Sequence, residues 1–202
     1  MKERKYIHFE DKKTVNFLNL YIKRLSKRIL KQRQIESFSD IVVICIGTDR
    51  STGDSLGPFT GMFLKEKKIK NLHIFGTIEN PVHAKNIHEI TDKINESFNK
   101  ESTLFIAIDA SVGDSEKAGY IGIGDQPLNP GSGVDKDLPE LGDIAITGIM
   151  AIFTPELFSL VLGSTRLYKA VSMAKSISSA IEKSIYSVPG PLYENKEKSL
   201  IA

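Results

Sequence analysis

Residues 41–58 read IVVICIGTDRSTGDSLGP, and the pattern of this stretch recurs along the chain. The first six residues are apolar and mostly β-branched, which is typical of a strand buried on both faces of a parallel sheet. Gly47 ends this run, a polar loop follows, and residues 54–58 lead into a helix. The stretch therefore carries Asp54 to the exit of a central strand, where open α/β sheets bind their ligands. Asp54 is the first candidate site residue.

The remainder of the chain alternates short apolar strands with amphipathic helices. The predicted strands after the first one are 72–78, 104–108, 120–124 and 144–150. The predicted helices are 13–35, 84–98, a short one starting at Thr154 and ending at Gly163, and 164–185. Because parallel strands need a crossover between them, this alternation indicates βαβ units. We expect an α/β fold, a three-layer sandwich around a mostly parallel mixed sheet.

Size and charge limit the domain organisation and the partners. A chain of 202 residues with 41% hydrophobic content can bury one core, so we expect one domain. The predicted division is a charged leader and basic amphipathic helix over 1–36, packed on the domain, the α/β domain over 37–186 and a tail over 187–202. The balance of 27 Lys and Arg against 25 Asp and Glu favours no nucleic-acid partner. The basic surplus in the first segment is typical of a solvated helix face, and an acidic partner is the less common explanation.

Cysteine content and hydropathy indicate the compartment. Cys45 is the single cysteine and lies inside the first apolar run, so no intramolecular disulfide can form. The sequence contains no secretory segment and no apolar run of 18 residues. We therefore expect a cytoplasmic protein without a membrane partner. A homo-oligomer is left open as an alternative.

Two aspartates follow predicted interior strands. Asp54 comes after the first strand and Asp109 ends the third. If these strands are parallel, both carboxyl groups emerge at one edge of the sheet, where mutual repulsion keeps one of them protonated. The ionised carboxylate can then activate a water molecule while the protonated one donates to a carbonyl oxygen, which is amide-hydrolysis chemistry. On spacing alone, helix capping by Asp54 and turn formation by Asp109 are slightly favoured.

The other motifs give weaker signals. His83 and His88 lie five residues apart, without a recognisable metal motif, and surface positions are their commoner role. A divalent metal held by Asp54, Asp109 and a histidine stays an alternative, but we assign no metal and no cofactor. Ser55 and Ser111 follow the two aspartates without the G-x-S-x-G elbow of serine hydrolases.

A long loop over 125–143 contains three prolines and three glycines. Loops of this length inside a compact domain are commonly functional or mobile. Within the loop, Gly131, Ser132 and Gly133 could cradle an anion with their backbone amides, although the P-loop lysine is absent. The residues assigned to substrate binding are Ser55, Ser111, Gly131, Ser132 and Gly133.

Four short motifs occur in a recognisable order. They are DSLGP at 54–58, IDA at 108–110, PGSGV at 130–134 and LGDIAITG at 141–148. This series resembles the spore germination protease, and the short chain resembles its smaller relatives, the sporulation proteins of the YyaC type. The resemblance to hydrogenase maturation endopeptidases is more distant. The similarity covers residues 41–185.

The resemblance implies a phosphorylase/hydrolase-like sandwich and a peptidase in which the aspartates of the first two motifs, here Asp54 and Asp109, are the catalytic pair. It also implies spore or sporulation proteins as substrates, such as small acid-soluble spore proteins, in the cytoplasm of the mother cell or forespore. Two features depart from these families. Ile146 stands where the maturation endopeptidases place a histidine before Thr-Gly, and the chain is much shorter than the germination protease. A catalytically silent peptide-binding or scaffold protein, and a metal-dependent hydrolase, are the alternatives.

Overall fold

Six strands form one sheet in the structure, a computed structural model that describes residues 4–114, 116–130, 138–152 and 163–189. The strands are β1 Arg4–His8, β2 Asp40–Cys45, β3 Leu72–Phe75, β4 Thr103–Gly113, β5 Tyr120–Gly124 and β6 Ile144–Ile152. The helices are α1 Thr14–Arg33, α2 Leu56–Lys65, α3 Ile87–Ser97 and α4 Leu167–Ile185. A single 3-10 turn, Gly53–Ser55, precedes α2.

The strand order across the sheet is β1-β5-β6-β4-β2-β3. β2 pairs in parallel with β3 and β4, and β4 pairs in parallel with β6. β5 runs antiparallel to both of its neighbours, β1 and β6. The predicted mostly parallel mixed sheet is therefore confirmed.

Helices cover both faces of the sheet. On the first face, α1, α2 and α4 pack on alternate strand residues such as Val43, Ile106 and Ile146. On the second face, α3 and the described ends of the 125–143 loop pack on the intervening residues, including Val42, Ile44 and Ala107. Since strand side chains alternate between faces, one sheet supplies two separate cores. The three-layer architecture is confirmed.

Helix α1 shows how the sequence pattern becomes packing. The apolar stripe predicted from the sequence is buried at Leu18, Ile22, Leu25 and Ile29, and it lies against α4. At the end of α1, the guanidinium of Arg33 donates to the Thr103 carbonyl at 2.7 Å and to the Asp143 carboxylate at 2.5 Å. Burial of one stripe leaves Arg24, Lys27 and Lys31 exposed on the opposite side, as expected of an amphipathic surface helix.

The beginning of the chain departs from the prediction. Residues 4–8, expected in a charged leader, form β1 and pair with β5 along their whole length. Ile7 is the one buried residue of this strand, since β1 lies at the sheet edge with charged and polar neighbours in sequence. One buried side chain in five residues gives no recognisable alternation, which is why the pattern did not predict the strand.

The third predicted strand and the long loop also differ in detail. β4 continues past Asp109 to Gly113, so Asp109 lies inside a strand and not at its end. The two ends of the 125–143 loop pair through Leu128 and Leu141, with N···O distances of 2.7 and 2.9 Å. The helix predicted from Thr154 lies outside the described residues, and the domain boundaries stay a prediction. No helix within the described ranges has the length and apolar content needed to cross a membrane.

Candidate functional site

The candidate site begins where β2 ends and β4 continues. The β2–β4 ladder runs to Cys45 opposite Ile108, and the Ile46 N–H still donates to the Ile108 carbonyl at 2.7 Å. Asp109 is the next residue of β4 and retains only β6 as a ladder partner, where Thr147 lies opposite it. Alternation along β4 puts Asp109 on the second face, together with Phe105 and Ala107. Beyond Ile108, β2 no longer pairs with β4, and the 3-10 turn that contains Asp54 packs on β4.

Two glycines allow the loop that carries Asp54 to return to the end of β2. Gly47 has a φ of +134°, and a Cβ there would stand 2.0 Å from the Asp54 carbonyl oxygen. A Cβ at Gly57 would stand 2.0 Å from the Ile46 carbonyl oxygen. The backbone loop is closed by Thr48 N–H, which donates to the Asp54 carbonyl at 3.2 Å. Only residues without a Cβ permit this close return of the loop to the end of β2.

The two carboxyl groups interact electrostatically. Burial raises the pKa of Asp54 above its usual range, while a hydrogen bond from the Thr48 backbone and the charge of His83 act in the opposite direction. Burial, and then the charge of Asp54, raise the pKa of Asp109 well above its usual range. The Ala110 N–H donates to Asp109 Oδ1 at 2.8 Å, and this hydrogen bond offsets only part of the increase in the pKa of Asp109. The arrangement is therefore one ionisable group beside another that retains its proton to higher pH.

His83 belongs to the same edge of the sheet. Its segment follows β3 and is attached to the end of β2, because Val82 forms a bridge with Ile46 and its carbonyl accepts from Gly47 N–H at 2.8 Å. Asn86 fixes the turn by accepting from His83 N–H at 2.8 Å and donating to the Pro81 carbonyl at 3.0 Å. His88, in contrast, is exposed on α3. Surface positions were expected for both histidines; His88 has one, whereas His83 is half-buried.

The position of His83 could have been found from the strand order. Loops that follow parallel strands gather at one edge of the sheet, and His83 lies in the loop after the parallel strand β3. Its Nδ1 atom is buried without a hydrogen-bond partner among the described residues, and so is Oγ of Ser51 in the loop before Asp54. Unpaired buried polar atoms are uncommon in native proteins and often occur at functional sites. Both atoms belong to segments that lead into the Asp54 site.

The other predicted site residues have different positions. Ser55 is buried, and its hydroxyl donates to the Thr52 carbonyl at 2.6 Å within the 3-10 turn. This bond uses the hydroxyl as a donor inside the turn, and a role of Ser55 in substrate binding stays a prediction. Ser111 is half-buried on β4, two residues beyond Asp109 and on the same face. Gly131, Ser132 and Gly133 lie outside the described residues.

No cluster of three or more His, Cys, Asp or Glu side chains suited to a metal ion occurs in the part of the chain that the structure describes. The combination of Asp54, Asp109 and a histidine therefore does not form a metal-ligand set there. Cys45 is fully buried, and burial strongly raises the pKa of its thiol, which disfavours the reactive thiolate.

The fold and this edge define an α/β protein with two electrostatically interacting carboxyl groups, one in the loop after β2 and the other within β4. Residues 7–180 match the family model described as "Protein of unknown function (DUF1256)", and the chain belongs to this family. It is similar to the uncharacterized protein YyaC of Bacillus subtilis (strain 168), with 46% identity over 142 residues. That alignment covers 70% of this chain and 67% of YyaC.

Proposed function

We propose that this protein is a peptide hydrolase of the germination-protease type, in which Asp54 and Asp109 are the catalytic pair. The observation that supports this proposal most strongly is the raised pKa of Asp109, caused by burial and by the charge of Asp54. Two carboxyl groups with separated pKa values are the arrangement that general acid–base hydrolysis requires. The suggested substrates are spore or sporulation proteins, including small acid-soluble spore proteins, in the cytoplasm of the mother cell or forespore.

The two aspartates would have different roles because their pKa values differ. Ionised Asp54 accepts a proton from a water molecule while the oxygen of that water attacks the carbonyl carbon of the scissile peptide bond. Protonated Asp109 donates its proton to the carbonyl oxygen, which gives a tetrahedral diol. When the C–N bond breaks, Asp54 returns its proton to the amine and Asp109 recovers one from the diol. Each carboxyl group thus ends the cycle in its starting state.

His83 would assist as a positioning residue for this pair. Its charge lowers the pKa of Asp54 and so favours the ionised form that the base requires. This role needs no metal ion.

The test is cleavage of purified small acid-soluble spore proteins, followed by mass spectrometry of the fragments. Asp54→Asn and Asp109→Asn should each reduce the rate by at least about 100-fold, the scale of a lost general acid or base. Asp92→Asn is the matched control, since Asp92 is exposed on α3. Full activity in either active-site variant would exclude this mechanism.

A catalytically silent peptide-binding or scaffold protein is the second candidate. It is supported by the hydrogen bond from Ala110 N–H to Asp109, because the same bond can simply stabilise the local backbone. In the same experiment, spore proteins that bind the wild-type chain but emerge uncut would favour this candidate. Cleavage that needs both aspartates would exclude it.

A further inference from the structure

A row of four residues extends from the candidate site toward β1. Tyr6 on β1 lies opposite Gly122 on β5, Gly122 lies opposite Thr147 on β6, and Thr147 lies opposite Asp109 on β4. Residues opposite one another in a ladder present their side chains to the same face of the sheet. This row therefore connects Asp109 with the edge strand that the sequence analysis assigned to a charged leader.

The absence of a side chain at Gly122 lets two β1 side chains reach across β5. A Cβ at Gly122 would stand 2.9 Å from Cε1 of Tyr6 and 3.5 Å from Cδ of Arg4. Arg4 extends farther, and its Nη2 donates to Oγ1 of Thr147 at 3.0 Å. The guanidinium group therefore lies next to the strand residue that faces Asp109.

The positive charge at this position is not neutralised within the described residues. Arg4 makes no ion pair with a carboxylate in the described ranges. Nζ of Lys117 lies 5.1 Å from the centre of the Tyr6 ring, and its nearest carboxylate oxygen belongs to highly exposed Asp114, at 3.9 Å. Such a distant and solvated pair is worth little energetically. Lys117 thus lies at the Tyr6 end of the row, while the guanidinium of Arg4 reaches across to Thr147, the neighbour of Asp109.

Distance decides what kind of ligand group could reach both places. Neighbouring strands are about 4.8 Å apart, and an extended peptide advances about 3.3 Å per residue. In a peptide ligand with a peptide bond at Asp109, the group bound by Arg4 beside Thr147 would therefore belong to a residue one or two positions away from that bond. A guanidinium presents several N–H donors in a planar fork that matches a carboxylate.

We propose that Arg4, supported by Tyr6 and Lys117, forms a subsite that binds a carboxylate of a peptide ligand beside the Asp54–Asp109 pair. That the ligand is a peptide rests on the proposed function. A C-terminal carboxylate and an acidic side chain carry the same chemistry, so the experiment must distinguish these two sources. Thr147 acts as a positioning residue, because its hydroxyl holds the guanidinium at the required place.

The experiment measures binding of fluorescein-labelled peptides to the full-length Asp109→Asn variant, in which turnover is blocked. The probes are the hexapeptide AAELAA with a free C-terminus, its C-terminal amide, its Glu→Gln form, and the form with both changes. We expect the peptide lacking the recognised carboxylate to bind at least about tenfold more weakly, the scale of one charge-assisted hydrogen bond. Which single change causes the loss identifies the source of the carboxylate.

Addition of Arg4→Gln should reduce the affinity for the carboxylate peptide to that of its neutral form, and Arg4→Lys should retain part of the preference. Arg24→Gln is the matched control, because Arg24 is exposed on α1. Circular dichroism and the thermal midpoint of each variant separate a local effect from loss of β1. Equal binding of all four peptides, no binding of any of them, or an unchanged preference in Arg4→Gln would each overturn the subsite.

The outcomes also separate this inference from the proposed function. Cleavage of spore proteins by the wild-type chain that does not depend on Arg4 or on a carboxylate retains the hydrolase proposal and excludes the subsite. Carboxylate-dependent binding that needs Arg4, without cleavage by the wild-type chain, retains the subsite and excludes the hydrolase proposal.

Discussion

The charge of Asp54 raises the pKa of Asp109, although one residue lies in a loop after β2 and the other within β4. β4 extends beyond the end of β2, the loop after β2 returns to the end of that strand, and its 3-10 turn, Gly53–Ser55, packs on β4. This relationship gives the molecule a site whose two acidic groups titrate differently.

Removal of the Asp54 charge should lower the pKa of Asp109. In Asp54→Asn, repulsion of the ionised Asp109 carboxylate disappears, while burial continues to keep its pKa above the usual value. The measurement is a pH titration of the Asp109 side-chain carboxyl carbon by NMR. Asp49→Asn, an exposed change in the same loop, should leave the titration where it is in the wild-type protein. An unchanged midpoint in Asp54→Asn would show that the two groups do not interact.

The raised pKa of Asp109 predicts how stability depends on pH. Between the usual aspartate pKa and the raised value, the folded chain binds more protons than the unfolded chain, so the free energy of unfolding falls as pH rises through this window. In Asp109→Asn the side chain at position 109 carries no charge at any pH, so this fall in the free energy of unfolding is removed. The variant should therefore be more stable than wild type at neutral pH, and the gain should vanish below pH 3.8.

Thermal unfolding over a range of pH measures this difference. For a domain of this size, each 1 kcal/mol gained at the melting temperature raises Tm by roughly 2–4 °C. Asp92→Asn should show no such pH-dependent gain, since Asp92 is exposed. A variant at position 109 that is destabilised at neutral pH would contradict this account.

The close approach of α2 to β2 should make Gly57 intolerant of a larger side chain. A Cβ in Gly57→Ala would stand 2.0 Å from the Ile46 carbonyl oxygen, so either the strand end or the helix must shift. We expect a loss of about 2–3 kcal/mol in the free energy of unfolding, at the upper end of the overpacking range. Urea denaturation measures it.

Gly163→Ala is the matched control for this prediction. A Cβ at Gly163 meets no atom of the described residues within 4 Å, and alanine is the better helix former. Its free energy of unfolding should stay unchanged or rise by up to about 1 kcal/mol. Equal losses in the two variants would indicate a general backbone effect of glycine replacement, and not the clash with Ile46.

The end of α1 should depend on Arg33. Its guanidinium compensates the half-buried carboxylate of Asp143, which also accepts from Phe105 N–H at 2.9 Å. Arg33→Ala leaves that carboxylate without its cation, at an expected cost of about 2 kcal/mol in the free energy of unfolding. Lys93→Ala, which breaks an exposed pair with Glu89, should cost about 0.5 kcal/mol or less. Chemical denaturation of both variants tests the contrast, and equal costs would contradict it.

Local sequence patterns predicted the strands and helices that bury side chains at regular intervals along their length. The apolar run in residues 41–46 became β2, residues 120–124 became β5 without any change in bounds, and the stripe of α1 is buried where the spacing indicated. These cases succeed because each element buries a repeated set of side chains, and the repeat is visible in the sequence. β1 was missed since it buries Ile7 alone and is defined by its partner β5.

The site was only partly predictable for the same reason. Asp54 and Asp109 were selected from their places after apolar runs; in the structure the charge of Asp54 raises the pKa of Asp109, and their catalytic role stays a prediction. Ser55 was selected by proximity in sequence, but its hydroxyl is used within the 3-10 turn. His83 joins the edge through the pairing of Val82 with Ile46, and Arg4 reaches Thr147 only because β1 lies beside β5. Contacts of this kind depend on strand order, which no local pattern contains.

The sequence by itself determined an α/β chain with parallel interior strands and acidic residues near their exits, because burial and turn formation act on neighbouring residues. The tertiary structure alone decided that β4 extends beyond the end of β2 and that Arg4 reaches Thr147, the neighbour of Asp109. It also decided that Asp109 is the group with the strongly raised pKa. Desolvation and charge repulsion depend on distances through space, and those distances exist only once the sheet has assembled.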